Sequence, residues 1–173
     1  MECLDAIYGR RSIRRYTEDL VSDEQVETLM RAAMAAPSAG NQQSWRFIVV
    51  RDRAVLQQLA EATPYSKMLA DAPLGLVVAG DTRDERHPGY WVQDCSAAIQ
   101  NLLVAAHSIG LGAVWIGVHP VADRVENVRK ACGVPEGVVP MAMISVGHPA
   151  EEKPPGERYQ PEFVHHDRWI DPR

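Results

Sequence analysis

A cluster of arginines near the start of the chain is the clearest sign of chemistry in the sequence. Residues 10–15 read Arg-Arg-Ser-Ile-Arg-Arg, although the whole chain carries a formal net charge of −5. Side chains of an extended segment alternate between two sides, so Arg10, Ser12 and Arg14 would share one side. Two guanidinium groups beside a hydroxyl offer the charge-assisted hydrogen bonds that a terminal phosphate accepts. The segment predicts a phosphate site, and a solvated basic turn is the alternative.

A second candidate site is the polar loop at residues 36–45, between a predicted helix and a predicted strand. Its sequence, Ala-Pro-Ser-Ala-Gly-Asn-Gln-Gln-Ser-Trp, is rich in turn formers and side-chain amides. Because asparagine and glutamine offer donors and acceptors together, the loop suits the edge of a flavin's pyrimidine ring. An ordinary helix-to-strand loop is the alternative.

The composition excludes several classes of protein. A chain of 173 residues, 46% of them hydrophobic, can form one domain with a buried core. Its negative charge argues against a nucleic-acid binder, which usually presents a basic face. Cys3, Cys95 and Cys132 form no CxxC pair, so we expect neither disulfides nor a zinc site, and reduced thiols fit a cytoplasmic protein. We expect no signal peptide, and no membrane helix, because no apolar run approaches about 20 residues.

Hydrophobic periodicity and capping signals predict helices and strands without strict βαβ alternation. The predicted helices span 3–9, 22–36, 52–60, 91–109 and 121–131, and the predicted strands span 47–50, 74–79, 113–117 and 138–146. Ser22 and Gln25 fit a capping box at the second helix. Pro140 in the last strand indicates an edge or a bulge. The fold class is therefore predicted to be α+β.

Two further features bear on assembly. The helix at 91–109 is apolar around nearly its whole circumference, so it must be buried all round. A second subunit could bury it, since its small alanines permit close approach, and the alternative is a central position within a monomer. The proline-rich tail from residue 148 has too little apolar content to fold alone. Tyr159, Phe163 and Trp169 could anchor it on its own body or on a partner.

Several segments, taken in order, resemble the nitroreductase family of FMN-dependent oxidoreductases. They are the arginine-serine segment 10–14, the loop from Ala36 to Gln43, Gln-Asp-Cys-Ser-Ala-Ala at 93–98, Gly-Leu-Gly-Ala-Val-Trp-Ile-Gly at 110–117, and His-His-Asp-Arg-Trp at 165–169. The resemblance covers essentially the whole chain. It implies a mixed sheet flanked by helices, an intertwined homodimer, and a single FMN-binding domain over residues 1–173.

The resemblance also implies roles for particular residues. The FMN phosphate would be held by Arg10, Arg11, Ser12 and Arg14, with Arg158 returning to it from the tail. Other residues would contact the ring: Pro37, Ser38 and Ala39 cover it from the partner subunit, Asn41 and Gln43 meet the ring and ribityl edge, and Ile116 and Gly117 offer backbone N–H groups near flavin N5 and O4. No side chain would be catalytic, because the flavin itself exchanges hydride.

The sequence departs from the family pattern in three places. Ser44 stands where the family often has proline, so the shape of the loop is open. Lys153 and Arg158 are farther apart than the usual basic pair. The chain also lacks the helical insertion that larger members place over the flavin. The substrates of those members therefore cannot be assigned to this chain.

The expected activity is reduction of nitroaromatics, quinones or related electron-poor compounds, with NADH or NADPH as donor, in a ping-pong cycle at flavin N5. A flavin carrier or sensor without turnover is the alternative from another class. Specialised flavin chemistry, such as reductive dehalogenation or flavin fragmentation, is the alternative among enzymes.

Candidate substrate-pocket and metal residues are less distinctive. Tyr65, Tyr90 and Trp91 lie where family members shape the substrate pocket, but core or dimer contacts are equally open for them. Adjacent His165 and His166 would point apart on a strand, and no acidic-histidine cluster completes a site, so we expect no metal.

Overall fold

The computed structural model describes residues 1–169 and contains every helix and strand predicted above, with ends within two residues of the predicted ones. The helices are α1 (Cys3–Gly9), α2 (Asp23–Met34), α3 (Arg53–Glu61), α4 (Trp91–Ser108) and α5 (Ala122–Cys132), and the strands are β1 (Trp45–Val50), β2 (Leu74–Asp81), β3 (Gly112–Gly117) and β4 (Val138–Gly147). The predicted capping box is present, because Ser22 and Gln25 each bond the other's backbone N–H.

The four strands form one sheet in the order β1-β2-β4-β3, which confirms the α+β class. The sheet was expected to be mixed, but each of these strand pairs is antiparallel. Val50, at the end of β1, pairs with Gly75, so α3 and the segment after it return the chain to the same end of the sheet. The parallel component is an isolated bridge between Ser12 and Ala113.

Pro140 marks a bulge rather than an edge. The strand that contains it, β4, lies between β2 and β3. The register with β2 shifts where Val78 pairs with Ala142 and Ala79 pairs with Pro140, so one residue of β4 is left over. Pairing with β3 already stops at Ala142, so the missing N–H of Pro140 breaks no ladder on that side.

Helices cover both faces of the sheet. Residues of β2 alternate between two hydrophobic clusters, with Leu76 and Val78 facing α2 and α4, and Val77 facing α3 and α5. Burial on both faces explains why β2 is an unbroken apolar run rather than an alternating one.

The all-round apolar helix, α4, is largely buried within one chain. Ile99 and Leu102 are fully buried in the cluster that joins α4 to the sheet and α2. Gln93 and Gln100 lie on the remaining exposed side. A central position within one chain therefore accounts for most of the burial of α4. The burial of this helix does not by itself require a partner subunit.

The aromatic side chains of the tail do not pack on its own body. Tyr159, Phe163 and Trp169 are 72%, 73% and 79% exposed, so of the two alternatives only packing on a partner stays a prediction for them. Aromatic side chains lose favourable free energy when they remain in water. Residues 170–173 lie outside the described part of the chain.

Candidate functional site

The arginine segment is attached to the free edge of β3. Ser12 pairs with Ala113 in parallel, and the N–H of Ile13 donates to the Ala113 carbonyl at 3.1 Å. The Ile13 side chain is 8% exposed and packs directly on Gly112. A Cβ at Gly112 would lie 2.7 Å from Ile13 Cγ2, so only glycine allows this close approach.

Hydrogen bonds from Tyr16 and Lys153 fix the middle of the arginine segment. The Tyr16 hydroxyl donates to the Ile13 carbonyl at 2.7 Å and lies 2.6 Å from Ser145 Oγ, which is fully buried in β4. Burial raises the pKa of Tyr16, although the Ser145 hydrogen bond opposes that shift, so the phenol stays protonated at neutral pH. Lys153 Nζ donates to the Ser12 carbonyl at 2.7 Å.

Three guanidinium groups converge on one cavity of about 660 Å³, here called the arginine cavity, which Arg10, Arg11 and Arg158 line together with the tail residues around Gly156. Burial, and then the nearby charges of Arg158 and Arg11, lower the pKa of Arg10. The Nε atoms of Arg10 and Arg11 are buried and have no hydrogen-bond partner among the described residues. Glu157 also lines this cavity, but none of the three guanidinium groups forms a salt bridge within the described residues.

A second cavity, of about 450 Å³, lies at the end of β3 and is here called the β3-end cavity. It joins Arg14 to Ile116 and Gly117, and Tyr65, Lys67 and Arg124 close its opposite side. The Arg124 guanidinium carbon is 5.2 Å from the centroid of the Tyr65 ring. Its Nη1 donates to the Gly117 carbonyl at 3.4 Å.

The parallel bridge explains why Arg10 and Arg14 line different cavities. Because the arginine segment runs in the direction of β3, Arg14 advances towards Gly117 while Arg10 stays near the start of the strand. An extended chain rises about 3.3 Å per residue, so the two backbone positions are about 13 Å apart. Arg10 and Arg14 share a segment, but each of them lines a different cavity.

The polar loop is held by a buried carboxylate on α4. Asp94, which is 3% exposed, accepts a hydrogen bond from the Ala39 N–H at 2.9 Å and another from Gln42 Nε2, also at 2.9 Å. Gln42 Oε1 in turn accepts from the His87 N–H at 3.1 Å. This chain of bonds ties the loop to α4 and to the segment before it.

The loop backbone is unusual and is stabilised by its own side chains. Gly40, Asn41 and Gln43 all have positive φ angles, of 52°, 54° and 51°, which cost free energy at the two non-glycine positions. Ser38 Oγ accepts from the Gln43 N–H at 3.1 Å, and Gln43 Nε2 donates to Asn41 Oδ1 at 2.9 Å. The second of these hydrogen bonds keeps the side-chain amides of Asn41 and Gln43 next to each other.

Within one chain, the polar loop does not line the β3-end cavity. The cavity has none of the predicted loop residues in its lining, which were Pro37, Ser38, Ala39, Asn41 and Gln43. Tyr65 lines the cavity, but Tyr90 is 49% exposed outside it. Trp91 is 8% exposed and packs in the core, with its ring centroid 4.8 Å from that of His119. Of the three predicted pocket residues, only Tyr65 lies at this cavity.

Other reactive groups offer no competing site. Burial raises the pKa of the Cys95 thiol to about 12, and the neighbouring Asp94 adds to that shift, so the thiol is not a nucleophile at neutral pH. Within residues 1–169, no three His, Cys, Asp or Glu side chains form a group that could hold a metal ion. The same residues include no helix long and apolar enough to cross a membrane.

Three residues of the site were missed by sequence reasoning, namely Lys67, Arg124 and Asp94. Lys67 and Arg124 come from the segment after α3 and from the first turn of α5, and only the tertiary fold brings them together. Asp94 did leave a signal, because a carboxylate on a helix that is otherwise apolar requires buried partners.

The chain matches known proteins along most of its length. The model of the nitroreductase family matches residues 7–63 and 60–148. A relative from Methanothermobacter thermautotrophicus, provisionally named NADH dehydrogenase/NAD(P)H nitroreductase, is 46% identical over 169 residues, which cover 98% of this chain and 88% of the relative.

Two solved structures share the fold. A crystal structure from Parabacteroides distasonis, with the same provisional name, superimposes with a TM-score of 0.93 at 42% identity and covers 96% of this chain and 98% of its own. A provisionally assigned nitroreductase from Desulfovibrio desulfuricans, solved in complex with FMN, has a TM-score of 0.85 at 33% identity, with coverages of 98% and 99%.

Replacing Asp94 tests what holds the polar loop. Asp94→Ala leaves the Ala39 N–H and the Gln42 amide without their acceptor, which costs about 1–3 kcal/mol. We expect amide hydrogen exchange across residues 39–43 to speed up about tenfold or more. Gln93→Ala, at an exposed position one residue earlier, is the control and should change nothing. Unchanged exchange in Asp94→Ala would show that another contact holds the loop.

Proposed function

Because this chain belongs to the nitroreductase family, we propose that it reduces nitroaromatics, quinones or related electron-poor compounds in a ping-pong cycle. The chain is an FMN-dependent NAD(P)H oxidoreductase. When bound, FMN supplies hydride transfer at N5. The residues of the chain bind and orient it, and none of their side chains is needed as a catalytic group.

The arginine cavity carries the proposal, because its charges fit the FMN phosphate. Arg10, Arg11 and Arg158 face the cavity, and the buried Nε atoms of the first two have no acceptor among the described residues. A phosphate monoester has a charge of about −2 and oxygens that accept several hydrogen bonds. It would compensate the three guanidinium groups and satisfy both Nε atoms. Ser12, in the same segment as Arg10 and Arg11, would add its hydroxyl to the phosphate.

The β3-end cavity fits the flavin ring. Arg14 and Lys67 place positive charge there, which favours the negatively charged form of the reduced ring. Ile116 and Gly117 line the same cavity, and their backbone N–H groups would lie near N5 and O4. In this assignment, Arg14 contacts the ring end of the cofactor rather than its phosphate.

The remaining predicted residues support a homodimer. Pro37, Ser38, Ala39, Asn41 and Gln43 lie outside the β3-end cavity of their own chain, so they would cover the flavin of a second copy. The exposed tail aromatics Tyr159 and Phe163 would be buried by the same assembly. Each site would then combine an arginine segment from one chain with a polar loop from the other.

We further infer one FMN-binding domain over residues 1–173 and a cytoplasmic location. Cys3, Cys95 and Cys132 are all free thiols in the described structure, which fits a reducing compartment.

Steady-state kinetics test the proposed activity. We expect NADH or NADPH oxidation to accelerate when a benzoquinone or a nitroaromatic acceptor is added. Double-reciprocal plots at several fixed acceptor concentrations should give parallel lines, because donor and acceptor use the site in turn. A protein that holds FMN but oxidises neither donor with any such acceptor would be a carrier or sensor. Intersecting lines would contradict the ping-pong order.

Two arginine variants test how the cofactor is divided between the cavities. A hydrogen bond to a charged group contributes about 1.5–3 kcal/mol, and about 1.4 kcal/mol is a factor of ten. Arg158→Ala should therefore weaken FMN binding by about ten- to a hundredfold and riboflavin, which lacks the phosphate, far less. Arg14→Ala should weaken both by similar factors. Titration of the apoprotein by flavin fluorescence quenching measures all four constants.

Arg15→Ala is the matched control, because its exposed side chain lines neither cavity. If Arg15→Ala weakened FMN binding as much as Arg158→Ala, the weaker binding would be due to a general loss of positive charge and not to a specific contact. If Arg158→Ala weakened the binding of FMN and riboflavin equally, the assignment of Arg158 to the phosphate would be wrong.

Light scattering tests the dimer. The FMN-loaded protein should have about twice the chain mass of 19.2 kDa, and its thermal midpoint should fall on dilution, because assembly and stability are linked. A monomer that retains FMN at micromolar concentration would contradict the two-chain site.

A further inference from the structure

A third cavity adjoins the proposed flavin site. It has a volume of about 710 Å³ and lies between α3 and α5, and it is here called the α3–α5 cavity. Pro64, Lys67 and Arg124 line both this cavity and the β3-end cavity. A ligand could therefore extend from one into the other, and the volume is in the range of cofactor and ligand sites.

Two cations at this boundary lack a carboxylate partner. Among the described residues, neither Lys67 nor Arg124 forms an ion pair, and Lys67 is exposed. Arg124 is oriented by the Tyr65 ring and by the Gly117 carbonyl. Its remaining guanidinium N–H groups are available to an anion that passes between the cavities.

Apart from Lys67 and Arg124, the described residues that line the α3–α5 cavity include no cation, and they mix apolar with polar side chains. Glu61 and Asp123 line it, with the amides of Gln57 and Asn127. Gln57 Nε2 donates to Glu61 Oε1 at 2.9 Å, and Asn127 Nδ2 donates to the Ala62 carbonyl at 3.2 Å. Carboxylates and amides accept hydrogen bonds from hydroxyl groups, and the two carboxylates repel an additional phosphate.

We propose that the α3–α5 cavity binds the adenosine-diphosphate half of NADH, with Lys67 and Arg124 on the diphosphate. This inference rests on the proposed function, since it places the nicotinamide against the flavin ring that would occupy the neighbouring β3-end cavity. The two cations balance the two charges of the diphosphate. NADPH carries a further 2′-phosphate with a charge of about −2, and Glu61 and Asp123 disfavour it, so NADH is the preferred donor.

Binding of ADP-ribose to the FMN-loaded protein tests the cavity without turnover. Isothermal titration should detect ADP-ribose binding, and Arg124→Ala should weaken it about tenfold or more. Lys130→Ala is the matched control, because Lys130 is an exposed cation on the same helix that lines neither cavity. 2′-Phospho-ADP-ribose should bind more weakly than ADP-ribose, and Glu61→Gln should narrow that difference. No ADP-ribose binding at millimolar concentration, or equal losses in Arg124→Ala and Lys130→Ala, would overturn the proposal.

A comparison of two donors separates this inference from the proposed function. Reduced nicotinamide mononucleotide has the nicotinamide but lacks the adenylate. We expect kcat/KM for NADH to exceed that for the mononucleotide at least tenfold, and Arg124→Ala should reduce this ratio. Equal efficiencies with the two donors would overturn the adenylate site and leave the oxidoreductase intact. Oxidation of neither donor would overturn the proposed function and the inference with it.

Discussion

The attachment of Ile13 to the edge of β3 is the constraint on which the site depends. The edge strand would otherwise expose unpaired backbone groups, and the segment at Ser12 and Ile13 covers part of it. The contact requires glycine at 112, because any side chain there would overlap Ile13. Since the segment runs parallel to β3, it places Arg10 and Arg11 near the start of the strand and Arg14 towards its end. The arginine cavity and the β3-end cavity are consequences of this one pairing.

Charge is distributed along the proposed cofactor in an order that suits its chemistry. Arg10, Arg11 and Arg158 form no salt bridge with a carboxylate among the described residues, and guanidinium groups clustered in this way destabilise the fold unless an anion binds. In the β3-end cavity, Arg14 and Lys67 are more exposed than Arg10 and Arg11, as suits a ring that must exchange electrons with diffusing donors and acceptors. The strained loop from Ser38 to Gln43 is held in advance by Asp94, so little conformational freedom remains to be lost on binding.

Local patterns in the sequence predicted the elements well. The capping box, the helix start at Asp52 and the bulge at Pro140 each follow from the chemistry of one or two neighbouring residues. The sheet direction did not follow, because the return of the chain after α3 depends on packing rather than on local preference. The proposed place of Arg14 at the ring end also goes beyond the sequence, since alternation along a strand tells which side a residue faces but not how far along a ligand it lies. Lys67 and Arg124 could not be predicted, because they meet only across two elements far apart in sequence.

The most direct measurement of the central claim is the identity and amount of flavin that the purified protein releases on denaturation. The arginine cavity fits one phosphate and the β3-end cavity fits one ring system, so separation of the released flavin by chromatography and mass spectrometry should give FMN at about one per chain after saturation and removal of excess. Release of FAD, or no flavin retained at micromolar concentration, would contradict the account.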